Sequence, residues 1–416
     1  VIYNIIDTYY ISLLHNESMI AATTVALVLN MIIQAFGDGI SVGASGWIGR
    51  LNGQGKFSES YVALCTAMTL CFVIGLVASL VMVLNLKQIL QLFSIEQDVI
   101  KYAYDYMFII LSGGLVLVLK QALSGILRSN GIVKWPTISI IVGIIINIIL
   151  DPLFMFDYGL NMAIKGAAYA TVLSQTVSVL MMLWKLCSKT NDFRWRFLDF
   201  SFDMESIKQI GSIGIAAFTR QILPSFSITF LIRSASIYGT AMVAAMGISK
   251  KALRIITGVF AGYSHGMQPF FSFNYGARNS KRIVKALSIS RSFVICIGVA
   301  TSIVFWFYGE RIALLFGNNL NTIQYCGNMM KGYALSIPVL GIYHVYASAL
   351  QAFGKKKASM ILSSTRQGLF YIPIVIILPR YFCQSGLYLS QPLSDWLTFA
   401  LLIYLCRNIS KEILEL

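Results

Sequence analysis

Pro136–Phe156 reads PTISIIVGIIINIILDPLFMF, twenty-one residues in which a single ionisable side chain, Asp151, interrupts an otherwise uncharged and largely apolar run. A helix rising about 1.5 Å per residue crosses a hydrocarbon layer of about 30 Å in roughly 20 residues. The stretch therefore predicts a membrane-spanning helix, and its one carboxylate, placed one turn after Asn147, is the costly feature that needs a reason. The rest of the chain has the same character. Of its 416 residues, 57% are hydrophobic and only 12% are charged, against about 25% charged in soluble domains. The polar coat of a water-soluble surface is missing, which argues against a soluble enzyme, a secreted factor or a nucleic-acid binder. Seven cysteines without a CxxC pair, several of them inside apolar runs (Cys65, Cys71, Cys296), read as packing residues and not as disulfides or a metal site.

Outward from this segment, further spans are predicted at Ile20–Gly46, Ser58–Asn85, Tyr102–Ile126, Gly166–Leu186, Ile210–Ile232, Ala241–Phe271, Ala286–Phe307, Gln324–Gln351, Ala358–Leu378 and Gln391–Cys406. The opening stretch to Leu14 is a further apolar segment without an initiator Met, read as a truncated first helix. This gives an all-α integral membrane protein of twelve transmembrane helices. Segments after the even spans carry eighteen Lys and Arg, those after the odd spans six. That bias assigns the net charge of +15 to membrane topology, with both termini cytoplasmic, and not to nucleic acid.

The chain also repeats itself. Gly39-Ile-Ser-Val-Gly43 recurs as Gly262-Tyr-Ser-His-Gly266, and Leu127-Arg-Ser-Asn-Gly131 as Leu350-Gln-Ala-Phe-Gly354, both at an offset of 223. Asn52-Gly53 falls on Tyr275-Gly276 at the same offset. Two pseudo-symmetric six-helix lobes follow, expected at 1–190 and 209–416 and joined by a basic cytoplasmic linker at 191–208, with substrate expected in a cleft between them. The two GxxxG pairs read first as close helix packing and second as hinges.

Ionisable residues inside spans are expensive and are functional candidates by default. The acids are Asp7, Asp38 and Asp151, with Asp105 and Asp395 near helix ends. Asn147 and Asp151 lie i,i+4 on one helix face. A carboxylate beside an amide oxygen suits Na+, or H+ once desolvation favours the neutral acid. The competing reading is that Asp151, followed by Pro152, only ends a helix near the outer surface. The second half instead holds cations at depth: Arg220, Lys250, Lys251, Arg254, Lys331 and Arg366. They either snorkel to an interface or line a cleft suited to anionic or zwitterionic substrates.

Several segments resemble one family. Asp7-Thr-Tyr-Tyr-Ile11 is similar to the first-helix signature of multidrug and toxic compound extrusion (MATE) transporters, Asn147-Ile-Ile-Leu-Asp-Pro-Leu-Phe154 to their fifth helix, and Gly166-Ala-Ala-Tyr-Ala-Thr-Val-Leu-Ser-Gln175 to their sixth. Gly266-Met-Gln-Pro-Phe-Phe-Ser-Phe-Asn-Tyr-Gly-Ala277, Arg366-Gln-Gly368 and Pro392-Leu-Ser-Asp395 resemble the bacterial MepA-like branch. Tyr10 and Ser12 depart from the first-helix pattern, where Phe and Gly are usual, and the Lys250/Lys251 pair is foreign to the family pattern. The resemblance implies a secondary active multidrug efflux antiporter that exports amphipathic small molecules in exchange for Na+ or H+ by alternating access. It implies a cation-coupling set of Asp7, Asn147, Asp151 and Thr171, with Asp38 and Asp395 as further candidates. Tyr9, Arg220, Lys250, Arg254, Gln268 and Arg366 are the candidates for contacting substrate. The expected setting is a cell-membrane monomer in lipid, with no cofactor beyond the transported ion. A lipid-linked precursor flippase of related architecture is the competing transport reading, favoured by Lys250, Lys251 and Arg254. Catalysis is disfavoured, since the chain has no HExxH or GxSxG and its histidines (His15, His265, His344) are far apart.

Overall fold

A computed structural model describes residues 10, 11, 13, 14, 16–91, 97–157, 159–188, 195, 196, 199–314 and 319–414. Helices α1 (Glu17–Gly53), α2 (Phe57–Leu84), α3 (Leu86–Gln91), α4 (Gln97–Ser112), α5 (Gly114–Ser129), α6 (Lys134–Met155) and α7 (Ala163–Cys187) make up the first half. The second comprises α8 (Met204–Ser236), α9 (Thr240–Gly276), α10 (Ser280–Leu314), α11 (Leu320–Ala334), α12 (Ile337–Ala352), α13 (Lys356–Ser364) and α14 (Tyr371–Leu414), with a π-helical turn at Thr365–Leu369 before α14. The eleven spans predicted after the first all fall on these helices; the first lies mostly outside the described residues. By length and apolarity alone, six helical segments among the described residues qualify as single spans, and α4–α5 and α11–α12 qualify as bent pairs. The last single segment, Lys356–Cys406, is 51 residues long, enough for two crossings at about 1.5 Å per residue. It is divided at Cys383, whose backbone leaves the helical region (φ 50°, ψ −131°). Asp38 lies inside α1, and Lys250, Lys251 and Arg254 lie inside α9.

The duplication is written into the backbone. Helices α1 and α9 both run for 37 residues, with both ends offset by 223. The bend of 52° between α4 and α5 falls at Gly113, and the bend of 51° between α11 and α12 at Ser336, again 223 positions on. Left-handed residues that stop helices recur at the same spacing: Gly55 (φ 75°) with Arg278 (φ 54°), and Gly131 (φ 79°) with Gly354 (φ 71°). Only Arg278 of these four carries a side chain into a conformation that glycine adopts freely.

The chain divides into two compact units, residues 1–221 and 222–416, with the division inside α8. In the first unit, α1 and the opening of α8 meet closely. A side chain at Gly39 would come within 3.2 Å of the Gly214 carbonyl, and one at Gly43 would overlap the backbone of Ile210. Val42, Ile213 and Ala217 seal this contact, Phe36 packs on Phe218, and the Trp47 indole donates to Ser206 Oγ at 3.2 Å. The Gly39/Gly43 pair is thus used for packing, as the first reading has it. Gly262 and Gly266, its repeats in α9, have no atom within 4 Å of where a side chain would begin. The linker's described part lies against α2: Trp195 is buried, the Tyr61 hydroxyl donates to Asp199, and Thr66 and Thr69 Oγ1 accept from the Asp203 and Ser201 amides.

In the second unit, prolines leave carbonyls without a helical donor, and neighbouring side chains supply one, as a membrane interior requires. Pro379 cannot donate to the Val375 carbonyl, which accepts from Ser234 Oγ at 3.0 Å. The break at Cys383 frees the Pro379 carbonyl, which accepts from the Tyr238 hydroxyl at 3.1 Å. Around the π turn, Ser227 Oγ donates to the Gln367 carbonyl, and Ser394 Oγ donates to that of Arg366 at 2.6 Å.

Candidate functional site

In the first unit, α6 and α7 form an antiparallel hairpin with a polar seam. Along α6 the buried positions are Pro136, Ser139, Gly143, Asn147, Asp151 and Met155, a stripe at helical spacing. Register is fixed at one end by Ser178 Oγ donating to the Ser139 carbonyl (2.9 Å) and the Trp135 indole to that of Met181 (3.0 Å). At the other end Gly166 lies on the Phe154 backbone, too close for any side chain. This sets Asn147 and Asp151 level with the turn from Gly166 to Thr171. Both are 0% exposed, and Thr171 is 3% exposed. Asn147 Nδ2 donates to Asp151 Oδ1 at 2.9 Å, as the i,i+4 spacing predicts. The amide oxygens of Asn147 and of Gln175, one turn beyond Thr171, are buried acceptors with no hydrogen-bond donor. Pro152 cannot donate to the Ile148 carbonyl, and the Tyr10 hydroxyl approaches it to 3.5 Å; the Tyr10 ring also meets Phe156 edge-on. Asp151 therefore does not simply end a helix at an outer surface. It is fully enclosed one turn from the Asn147 amide oxygen, a buried acceptor without a donor, and a cation would complete such a setting.

Of the other acids, Asp7 and also Tyr9 lie outside the described residues. Asp38 Oδ2 is 3.7 Å from Arg220 Nη2, joining α1 to α8 within the first unit. Asp105, in the middle of α4 and not near a helix end as expected, faces Lys165 at 3.3 Å.

The second unit holds a different cluster. Asp395 Oδ1 accepts from Arg366 Nε (2.8 Å) and Gln391 Nε2 (2.9 Å), and its Oδ2 accepts from Ser336 Oγ (2.8 Å). The Gln391 Oε1 atom in turn accepts from Lys250 Nζ at 2.9 Å. The Lys250 ammonium sits 5.5 Å and 5.0 Å from the ring centroids of Tyr333 and Tyr371, and Arg366 stacks 5.4 Å from Tyr343. Arg366 and Asp395 thus compensate each other, whereas the sequence reading gave them separate roles in substrate contact and cation coupling. Arg254 is one turn beyond Lys250 on the same helix and is partly buried, as Lys250 is; Lys251 is exposed, and Gln268 is buried beside Pro269. Gln391, Ser336 and the two tyrosines escaped the sequence reading. Only Gln391, at i,i+4 from Asp395, carried a readable signal; Gln175 carried the same one relative to Thr171.

The MatE family model matches residues 1–153 and 216–377. An FAD transporter of Shewanella oneidensis is 25% identical over 99% of this chain and 91% of its own length. The multidrug export protein MepA of Staphylococcus aureus is 25% identical over 98% of this chain and 90% of its own. Among solved structures, an outward-facing multidrug resistance MATE family transporter of the MOP superfamily superposes with a TM-score of 0.92 at 21% identity, covering 100% of this chain and 92% of that one. A MOP superfamily transporter from Pyrococcus furiosus, described as having a binding pocket of reverse polarity that suggests a different function, superposes with 0.93 at 20% identity, covering 99% and 92%.

Proposed function

The chain belongs to the MatE family, and on that premise we propose that it is a secondary active exporter of amphipathic small molecules, driven by inward movement of Na+ or H+ through the α6–α7 seam. One observation carries the coupling half of this reading: Asp151 and Asn147 are both 0% exposed inside an apolar helix. An ionised carboxylate enclosed in this way costs several kcal/mol unless a cation compensates it. Loading a cation there stabilises whichever state of the transporter encloses the site, while substrate stabilises the other; the exchange follows from those opposed preferences. Asn147 positions the carboxylate through its amide hydrogen, leaving its oxygen and that of Gln175 to face the ion. Thr171 lies level with Asn147 and adds a hydroxyl, and Asp7 is the expected second carboxylate. The lobes expected at 1–190 and 209–416, linked by 191–208, are the bodies whose alternation exposes the site to either side. The protein acts as a monomer in the cell membrane with both termini cytoplasmic. It uses no cofactor and performs transport and not catalysis.

The names of the relatives support transport of small molecules, one naming multidrug export and the other FAD. The test is dye uptake into everted vesicles under an imposed Na+ or pH gradient. Asp151→Asn keeps the shape and hydrogen-bonding span of the side chain but removes the charge. It should insert normally and lose gradient-driven uptake by at least about tenfold, the scale of one lost ionic interaction. Wild-type coupling in that variant would remove Asp151 from the mechanism.

A further inference from the structure

The charge in the second unit does not balance. Asp395 is engaged by Arg366, Gln391 and Ser336, and each of these contacts is 2.8–2.9 Å. Among the described residues, Lys250 makes no direct carboxylate contact. It donates to the neutral Gln391 amide oxygen at 2.9 Å, and the faces of Tyr333 and Tyr371 flank it. An ammonium has three donors, so two remain for something else. Taking Lys250, Arg366 and Asp395 together leaves one net positive charge inside a membrane-spanning bundle, with Arg254 one turn further along the same face of α9. Cations at such depth are retained when something compensates them.

The setting is also built and not incidental. Tyr333 and Tyr371 are 2% and 1% exposed and hold the ammonium by their ring faces. Gln391 is 1% exposed and is locked by donating to Asp395, so its oxygen is turned toward Lys250. Lys250 itself is only partly covered, unlike the residues that support it. An ordinary snorkelling lysine would extend to an interface along an apolar surface; this one is clamped between two buried tyrosines and a buried amide. The exposed Lys251 next to it fits the snorkelling description.

We infer that Lys250 is the anchoring point for an oxyanion (carboxylate, sulfonate or phosphate) on the polar end of an amphipathic substrate, so that the exported class is anionic or zwitterionic. The inference rests on the export reading for what happens to the ligand, but binding can be tested without it. Purified full-length protein in phosphatidylcholine nanodiscs is titrated against carboxyfluorescein and against ethidium, aromatic probes of opposite charge, by fluorescence anisotropy. Wild type should bind carboxyfluorescein the more tightly. Lys250→Gln should weaken carboxyfluorescein about tenfold, the loss of one charge-assisted contact, and leave ethidium unchanged or tighter. Lys250→Arg should stay within about threefold of wild type, and Lys251→Gln should match it. Carboxyfluorescein affinity unmoved by Lys250→Gln, or both probes weakened equally, overturns the assignment, the second outcome marking a merely structural lysine. Gradient-driven vesicle uptake separates the two readings. If wild type exports ethidium with Lys250→Gln indifferent to either probe, the anion site is wrong and export stands. If the binding pattern holds and no gradient moves either probe, the site stands and export is wrong.

Discussion

The two GxxxG pairs make the same sequence pattern predict opposite outcomes. At Gly43, an added methyl would overlap the Ile210 carbonyl oxygen and lie 2.9 Å from its carbon and 3.0 Å from Cγ2. Ordinary contact begins at 3.4 Å, so the carbon contact alone asks α1 and α8 to separate by at least 0.5 Å. A gap of that size forfeits about a quarter of the dispersion energy of each pair it opens. Here those pairs join Val42 to Ile213 and Ala217, and the Trp47–Ser206 hydrogen bond is stretched with them. Overpacking of this kind costs about 1–3 kcal/mol, and Gly43→Ala should lower the thermal midpoint of purified protein by about 4–8 °C if the cost is about 2 kcal/mol. Gly39→Ala, where the nearest atom is 3.2 Å away, should lose less. Gly262→Ala and Gly266→Ala meet nothing within 4 Å and should stay at the wild-type midpoint, or gain a few tenths of a kcal/mol from better helix propensity. Equal losses in the two copies would refute the reasoning, because they would mean that the repeats are packed alike.

Four further outcomes follow from other sites. Asp395→Asn leaves Arg366 without its counter-charge in a buried position and should cost about 3–5 kcal/mol; combining it with Arg366→Gln should recover much of that loss, read as the interaction energy of a double-mutant cycle on thermal unfolding. Arg278→Gly relieves a side chain from a left-handed position whose repeat partner is glycine, and should stabilise by about 1 kcal/mol in the same assay despite deleting a charge. Trp195→Ala empties a buried site beside Phe200 and the end of α7 at a cost of about 3–5 kcal/mol, visible as faster proteolytic cleavage of the linker. Asp203 caps α8 by accepting from the Ser206 amide at 2.8 Å, and Ser206 holds its carboxyl below the usual value. Its contribution is therefore present at neutral pH and is lost as pH falls through its folded value, so Asp203→Ala should cost about 1 kcal/mol at pH 7 and nothing in strong acid, measured by unfolding at both pH values.

The sequence disclosed most of the fold because apolar length and charge placement are one-dimensional quantities: each span is counted, and a repeat is a fixed offset. The Asn147–Asp151 bond was legible for the same reason, since i,i+4 neighbours on a helix must meet. Other contacts were not. Asp38 and Arg220 are far apart in the chain, and whether they face each other depends on how α1 crosses α8. Arg366 and Asp395 looked like independent charges because the π turn and the break at Cys383 alter which side of the helix each presents. The second GxxxG pair resembled the first in letters alone, since openness at Gly262 and Gly266 is set by what lies beside α9.

The π turn at Thr365–Leu369 makes the last described spans sensitive to changes in length. It carries one more residue per turn than its surroundings, and the carbonyls of Arg366 and Gln367 within it are held by serines from two other segments. Inserting one residue between this turn and Tyr371 would rotate all that follows by about 100°, the angle per residue of a 3.6-residue turn. Tyr371 would swing away from Lys250, and Ser394 would leave its acceptor at Arg366. A single insertion at this point is thus a sharper instrument than any alanine scan for dissociating the aromatic clamp from the chain that carries it.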